Sequence, residues 1–176
     1  MDKIFVAALE EEVRGLEYFK LLGVGKINAS YRTMQIIQDF QPKEIINFGT
    51  AGSINKELKG IIECTSFFQR DMDCRGLLDF KLGETPFDDI KEILISSKGY
   101  SCGTGDNFVN KQIEVQVDVV DMEAYAIAKV CLLNNVKFRC FKFISDNADS
   151  SANLDWVERL ELGAVKFEEY RKIYLE

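Results

Sequence analysis

Short apolar runs alternate along this chain with segments in which apolar residues recur at helical spacing. The runs predict buried strands at Ile4–Leu9, Glu44–Phe48, Ile61–Phe68, Val117–Val120 and Phe138–Ile144. The helical spacing predicts helices at Ile27–Phe40, Met122–Asn134 and Leu154–Tyr174. Because strands and helices alternate, we expect an α/β fold with a mixed or largely parallel sheet, in one domain that covers residues 1–176.

The first predicted strand runs directly into three glutamates, at positions 10 to 12. Val13, Leu16 and either Phe19 or Lys20 then follow at helical spacing, which predicts a helix after this strand. Acidic residues in a first helical turn suit the helix macrodipole, so the glutamates are explained as a solvated helix start. Because they also follow a strand end, a role for one of them at a ligand site is an equal alternative.

The segment Val117–Asp149 is a predicted strand–helix–strand unit with carboxylates after each strand. Asp121 and Glu123 follow the first strand, and Asp146 and Asp149 follow the second. The carboxyl ends of parallel strands meet at one edge of an open sheet, where ligands bind. A turn with N-capping carboxylates is the alternative explanation for the second pair.

Three further features are ambiguous from the residues alone. Two small-residue loops, Gly49–Ser53 and Gly103–Phe108, allow backbone N–H groups to approach a ligand, although tight turns explain them too. Arg139 and Lys142 interrupt the last predicted strand, which indicates either a partly solvated face or a partner across it. Residues 91–97 fit either a strand or a short helix.

Composition and charge exclude several classes of function. The chain is 47% hydrophobic and 29% charged, as in ordinary globular domains. Its net charge of −7 and pI of about 4.8 argue against binding to nucleic acid or to an anionic membrane surface. No signal peptide and no membrane span are expected, since the apolar run Ile4–Leu9 is short and ends in glutamates.

The chain contains no histidine, which excludes Ser-His-Asp and Cys-His mechanisms and argues against a zinc site. We therefore expect neither a metal nor a cofactor, and proton transfer must rest mainly on carboxylates, lysine, tyrosine or cysteine. The five cysteines are an odd number without C-x-x-C spacing. This pattern predicts mostly buried thiols in a reducing cytoplasm.

Several short motifs resemble those of a known family and occur in the family's order. The motifs are Ala8–Val13, Gly23–Asn28, Asn47–Ser53, Arg70–Asp73, Thr104–Phe108, Val120–Glu123 and Ile144–Asp149. Together they resemble the nucleoside phosphorylase/nucleosidase superfamily, in particular the methylthioadenosine/S-adenosylhomocysteine nucleosidases. The resemblance implies an abbreviated form of the family's three-layer α/β/α fold, with a central mixed, largely parallel sheet.

The resemblance also implies the reaction, which is hydrolysis of the N-glycosidic bond of a purine nucleoside such as methylthioadenosine, adenosylhomocysteine or a relative. Asp146 would be the general acid that protonates N7 of the departing purine, and Ser145 would orient it. Glu12 would hold and activate the attacking water. A pair of carboxyl groups, one acid and one base, suits the oxocarbenium-like transition state of glycoside hydrolysis. We expect a site that raises the pKa of the acid.

The same resemblance implies the substrate-binding residues. Glu123, as a charged carboxylate, would bind the ribose hydroxyls, with Met122 near the sugar. Phe108 would stack on the base, and the backbone of Val109 would form hydrogen bonds to it. The loop Thr50, Ala51 and Gly52 would line the sugar or base. Family members form homodimers in which an aromatic residue of the partner covers the sugar 5′ end, and Phe87 is the candidate here.

Two alternatives to hydrolysis remain, namely phosphorolysis and nucleoside binding with little catalysis. The phosphorylase branch of the superfamily needs a basic phosphate site near the N-terminus, where this chain carries Glu10, Glu11 and Glu12. Carboxylates repel phosphate, so water is the expected nucleophile. The chain is also shorter than typical family members, both after Glu12 and between Pro86 and Gly105. A catalytically weak, nucleoside-binding protein is therefore the second alternative.

Overall fold

The computed structural model describes residues 2–149 and 152–175. Within these residues, eight strands and three α-helices form. The strands are β1 (Lys3–Ala7), β2 (Phe19–Leu21), β3 (Glu44–Ser53), β4 (Ile61–Gln69), β5 (Ile93–Leu94), β6 (Tyr100–Thr104), β7 (Val119–Asp121) and β8 (Lys137–Asp146). The helices are α1 (Lys26–Phe40), α2 (Ala124–Leu133) and α3 (Ala152–Tyr174).

The strands form a single sheet in the order β2-β1-β3-β7-β6-β4-β5, and β8 pairs with both β3 and β4. Strand β8 thereby closes a ring with β3, β7, β6 and β4. The pairs β1–β2, β1–β3, β3–β8, β4–β6 and β6–β7 are parallel, and the other three are antiparallel. The predicted mixed, largely parallel sheet is confirmed.

Alternate residues of the central strands supply the two faces of the sheet. Ile45 of β3 belongs to the apolar core beneath α1 and α2, whereas Ile46 belongs to the core beneath α3. On the α3 side, Phe167 stacks on Phe48 with ring centroids 4.2 Å apart. Successive side chains of a strand point to opposite faces, so a continuous apolar run fits a sheet covered on both sides. The three-layer architecture is confirmed.

The predicted helix after the first strand is wrong. Glu11–Val13 form only one 3-10 turn, and the chain then returns as β2, with Phe19 beside Phe5 in parallel register. Gly15, at φ 82°, lies in a left-handed conformation that an α-helix does not contain. The ring of Phe19 packs edge-on against Phe5, so burial at this edge of the sheet outweighs the local helical pattern.

The ambiguous segment 91–97 contains the two-residue strand β5, which pairs with β4 in antiparallel orientation. Within residues 2–149 and 152–175, no helix combines the length and the apolar content that crossing a membrane requires.

Candidate active site

A cavity of about 440 Å³ lies at the ends of strands β3, β4, β6, β7 and β8. The residues that follow β1 and the first turns of α3 complete its wall. The lining residues are Ala8, Leu9, Val24, Thr50, Ala51, Gly52, Arg70, Asn107, Phe108, Val109, Val120, Asp121, Met122, Glu123, Ser145, Asp146 and Trp156. The cavity has the size of a small-molecule site.

Nine of the residues predicted from the sequence line this cavity. They are Thr50, Ala51, Gly52, Phe108, Val109, Met122, Glu123, Ser145 and Asp146. Glu12 lies directly behind the wall and is bonded to Thr50. Phe87 does not line the cavity of its own chain: it is 82% exposed and packs against Phe80. Its predicted role concerns a second copy of the chain and stays a prediction.

Glu12 is 5% exposed and is held by donors from two segments. The backbone N–H and the hydroxyl of Thr50 donate to its Oε1, at 2.7 and 2.8 Å. The backbone N–H of Leu9 donates to Oε2 at 3.3 Å. A side chain added at Gly49 would meet Glu12 Oε1 and Lys142 Nζ, each 3.3 Å from the new Cβ. The carboxylate is therefore fixed at the cavity wall through its contacts with β3.

Asp146 ends β8 and is also 5% exposed. Its Oδ2 lies 2.7 Å from Ser145 Oγ, and its Oδ1 accepts the backbone N–H of Ala148 at 2.8 Å. A Cβ built on Gly52 would lie only 2.8 Å from Asp146 Oδ1. The carboxyl group can approach β3 this closely because position 52 carries no side chain.

Glu123 precedes α2 and accepts the backbone N–H of Gly25 at 2.9 Å. Gly25 presents this N–H from a positive φ of 90°, which favours glycine. Burial, followed by the charge of nearby Asp121, raises the pKa of Glu123 to about 8. The surroundings of Glu123 therefore favour its protonated form, and the charged form implied by the resemblance stays a prediction.

Lys142 and Asp121 form a buried ion pair next to the cavity, with Nζ 2.8 Å from Oδ2. Burial alone would raise the pKa of Asp121, but Lys142 and the hydroxyl of Thr104 bring it below its ordinary value. Thr104 Oγ1 donates to Asp121 Oδ1 at 2.5 Å. Lys142 interrupts the apolar pattern of β8 because it has a charged partner on another strand. The same holds for Arg139, whose Nε donates to Glu63 at 2.8 Å.

Arg70 and Trp156 are cavity residues that we did not predict individually. Arg70 donates through Nη1 to the side-chain oxygen of Asn107 and through Nη2 to its backbone oxygen, at 2.9 and 2.6 Å. It thereby holds the loop that carries Phe108. Trp156 donates from Nε1 to Thr50 Oγ1 at 2.8 Å. The motif Arg70–Asp73 was the available signal for the first residue, and the single tryptophan of the chain was the signal for the second.

A family model, the Phosphorylase superfamily, matches residues 18–170. Because this match covers most of the chain, the protein belongs to the Phosphorylase superfamily. A 5′-methylthioadenosine/S-adenosylhomocysteine nucleosidase of Buchnera aphidicola subsp. Acyrthosiphon pisum (strain Tuc7) is 28% identical, over 88% of this chain and 77% of the relative. A protein of the same name from Exiguobacterium sp. is 30% identical, over 81% of this chain and 72% of the relative.

Solved structures share the fold. A futalosine hydrolase of Helicobacter pylori superposes with a TM-score of 0.88 and 24% identity, covering 97% of this chain and 96% of that one. A 5′-methylthioadenosine/S-adenosylhomocysteine nucleosidase of the same organism, bound to butyl-thio-DADMe-Immucillin-A, superposes with a TM-score of 0.85 and 23% identity, covering 98% and 97%. The family, the fold and the enzyme class predicted from the sequence are confirmed.

Proposed function

We propose that this protein is a purine nucleosidase, which hydrolyses the N-glycosidic bond and releases the free base and the sugar. One observation carries the proposal. A single cavity brings together Asp146, Glu123 and the wall residue Thr50, to which Glu12 is bonded. These carboxyl groups come from distant parts of the chain, and curated relatives over most of its length are nucleosidases.

Asp146 is the proposed general acid, which donates a proton to N7 of the departing purine. The hydroxyl of Ser145 lies 2.7 Å from Asp146 Oδ2 and 3.3 Å from the backbone oxygen of Ala51. A hydroxyl can donate one hydrogen bond and accept others. Ser145 can therefore donate to Ala51 while Asp146 is protonated, so that the proton of Asp146 can point to N7 of the purine. After proton transfer, Ser145 can turn its proton to the new carboxylate.

Glu12 is the proposed base for the attacking water. Its buried carboxylate is held by donors on β3 and after β1, so its position does not depend on bound substrate. Water is favoured over phosphate because few cationic donors face the cavity. Among the described lining residues, Arg70 is the one cation, and its two terminal nitrogens already bind Asn107. Lys142 is paired with Asp121. An incoming phosphate would approach the carboxylate of Glu12 instead.

The remaining predicted residues fit the two ends of a nucleoside. Glu123 and Met122, before α2, would contact the ribose. Phe108 is 46% exposed and is therefore accessible to stack on a base, while Val109 beside it is buried. The relatives named for methylthioadenosine and adenosylhomocysteine support adenine nucleosides with a 5′-thioether as the first substrates to assay.

The test is release of free base from a panel of adenosine, inosine, methylthioadenosine and adenosylhomocysteine, with and without phosphate. We expect release without phosphate for at least one nucleoside. Release that requires phosphate would identify a phosphorylase, and no release from any nucleoside would refute both enzyme functions and favour the binding alternative.

The acid is tested by Asp146→Asn. This variant should lose turnover by about 10²-fold or more, the range typical of a general acid, while nucleoside binding changes much less. Asp39→Asn, an exposed carboxylate at the end of α1, is the matched control and should behave as the wild type. Normal turnover of Asp146→Asn would remove Asp146 from the mechanism.

The predicted homodimer is part of this proposal. Ile27 and Tyr31 on α1 are 81% and 61% exposed, and Val24, which lines the cavity, precedes them. An apolar surface beside the site suits a second copy that covers the sugar 5′ end. Ile27→Asp should dissociate the dimer in sedimentation equilibrium, whereas Val165→Asp, at an exposed apolar position of α3, should not. A monomeric wild type would refute this assembly.

A further inference from the structure

The indole of Trp156 connects α3 to the residue that we assign as the base. Trp156 lines the cavity and donates from Nε1 to Thr50 Oγ1 at 2.8 Å. The hydroxyl of Thr50 in turn lies 2.8 Å from Glu12 Oε1. Helix α3 is itself fixed to the segment after Glu12, because Tyr18 donates to Glu168 at 2.6 Å. Trp156, Thr50 and Glu12 thus form a continuous chain of hydrogen bonds across the cavity wall.

The direction of this chain follows from the chemistry of its two ends. The indole N–H can only donate, and an ionised carboxylate can only accept. Thr50 Oγ1 must therefore accept from Trp156, and its single proton points to Glu12 Oε1. The indole donates to a lone pair of Thr50 Oγ1, so the hydroxyl proton cannot point towards Trp156. The indole thus selects the rotamer of the hydroxyl proton that serves Glu12.

The two oxygens of Glu12 are unequal as a result. Oε1 receives two short bonds from Thr50, from its N–H at 2.7 Å and from its hydroxyl at 2.8 Å. Among the described residues, Oε2 accepts only the N–H of Leu9, at 3.3 Å. Hydrogen bonds in a chain polarise one another, so the indole also strengthens the donor on Oε1. Oε2 keeps the capacity to accept a proton from water.

We propose that Trp156 is a positioning residue for Glu12 and acts on it through the hydroxyl of Thr50. It commits Oε1 to the protein and leaves Oε2 to orient the attacking water. This role rests on the proposed nucleosidase function and extends it, because it assigns the two carboxylate oxygens different tasks.

The test is a double-mutant cycle on turnover. Trp156→Phe keeps an aromatic ring but removes the N–H, and Thr50→Val removes the hydroxyl while retaining the backbone donor to Glu12. We expect Trp156→Phe to lower kcat by about 3- to 10-fold, the worth of one hydrogen bond, with KM changed by less than about twofold. Thr50→Ser keeps the hydroxyl and should lose less of kcat than Thr50→Val.

The double variant Trp156→Phe/Thr50→Val should lose no more than Thr50→Val alone, because the indole then has no hydroxyl to direct. A role of Trp156 in packing or in contact with the substrate would instead make the two losses multiply. Multiplicative losses, or an unchanged kcat in Trp156→Phe, would overturn the proposal. Absence of turnover in the wild type would overturn the proposed function, and this role with it.

A second readout does not depend on activity. Trp156 is the one tryptophan in the sequence, so intrinsic fluorescence reports this position alone. Thr50→Val should shift the indole emission to shorter wavelength because the N–H loses its acceptor, and Thr50→Ser should not. Identical emission from the wild type and Thr50→Val would refute the hydrogen bond on which the proposal depends.

Discussion

The pH dependence of stability provides a direct test of the environment of Glu123. Burial, with Asp121 nearby, raises the pKa of this carboxyl from an ordinary value of 4.5 to about 8. Between these values the folded protein keeps a proton that the unfolded chain has released. The folded state then binds more protons, so its stability must fall as the pH rises through this window.

The magnitude follows from linkage. One proton held only by the folded state lowers stability by on the order of 1 kcal/mol for each pH unit. Across the window from 4.5 to about 8, the loss therefore amounts to several kcal/mol, a large share of the stability of an ordinary domain. For a chain of this length, each kcal/mol corresponds to a change in Tm of about 2–4 °C.

This pH range suits the test because the other groups with a shifted pKa change the stability only outside it. The lowered pKa of Asp121 contributes stability that is complete once the pH exceeds the ordinary aspartate value of 3.8. The raised pKa of Lys142 acts only at pH values above its ordinary 10.5. The chain has no histidine, the side chain that normally titrates between pH 5 and 8. Among the described groups with a shifted pKa, Glu123 therefore dominates this range.

The assay is urea denaturation at half-unit steps from pH 5 to 8.5, for the wild type and for Glu123→Gln. Glutamine can still accept the N–H of Gly25, and it does not titrate. We expect a falling profile for the wild type and a nearly flat one for Glu123→Gln, with the variant more stable at the alkaline end. Glu17→Gln, at an exposed position, should follow the wild type. Parallel profiles for the wild type and Glu123→Gln would refute the reasoning.

Two further substitutions test the residues that support the site. Gly52→Ala would place a Cβ about 2.8 Å from Asp146 Oδ1. We expect kcat to fall by about 10- to 100-fold because the acid is displaced. The control Gly76→Ala, where the new Cβ meets nothing within 4 Å, should leave kcat unchanged. Lys142→Met leaves Asp121 buried without its counter-ion, so the free energy of unfolding measured in urea should fall by about 3–5 kcal/mol. Adding Asp121→Asn should recover part of that loss. Full additivity of the two losses would contradict the pairing.

The parts of the fold that local periodicity determines could be predicted from the sequence. The apolar pattern correctly indicated strands β3, β4 and β8 and helices α1 and α2. These strands have buried faces, and these helices bury one broad apolar stripe. The segment after Glu12 could not be predicted in this way. Its apolar residues have helical spacing, but Gly15 ends the turn and Phe19 pairs with β1.

The residues that line the cavity were predictable where they belong to a short motif, and not where they arise from contacts between distant segments. Asp146, Glu123 and Phe108 belong to such motifs. The role of Trp156 arises only because α3 returns to β3, which the order of residues does not reveal. In the same way, the interrupted pattern of β8 indicated a charge on the strand but could not distinguish solvent from the buried partner of Lys142.

The distribution of charge in the cavity bears on the proposed mechanism. The charge of Asp121 is compensated by Lys142, whereas burial and the charge of Asp121 raise the pKa of Glu123 and favour its protonated form. An opposite charge nearby favours the ionised form of a carboxyl group. A Glu123 that has released its proton to solvent before the bond breaks would therefore stabilise the positive charge that develops on the sugar. The stabilisation would then be larger in the transition state than in the bound substrate, which is the condition for accelerating the reaction.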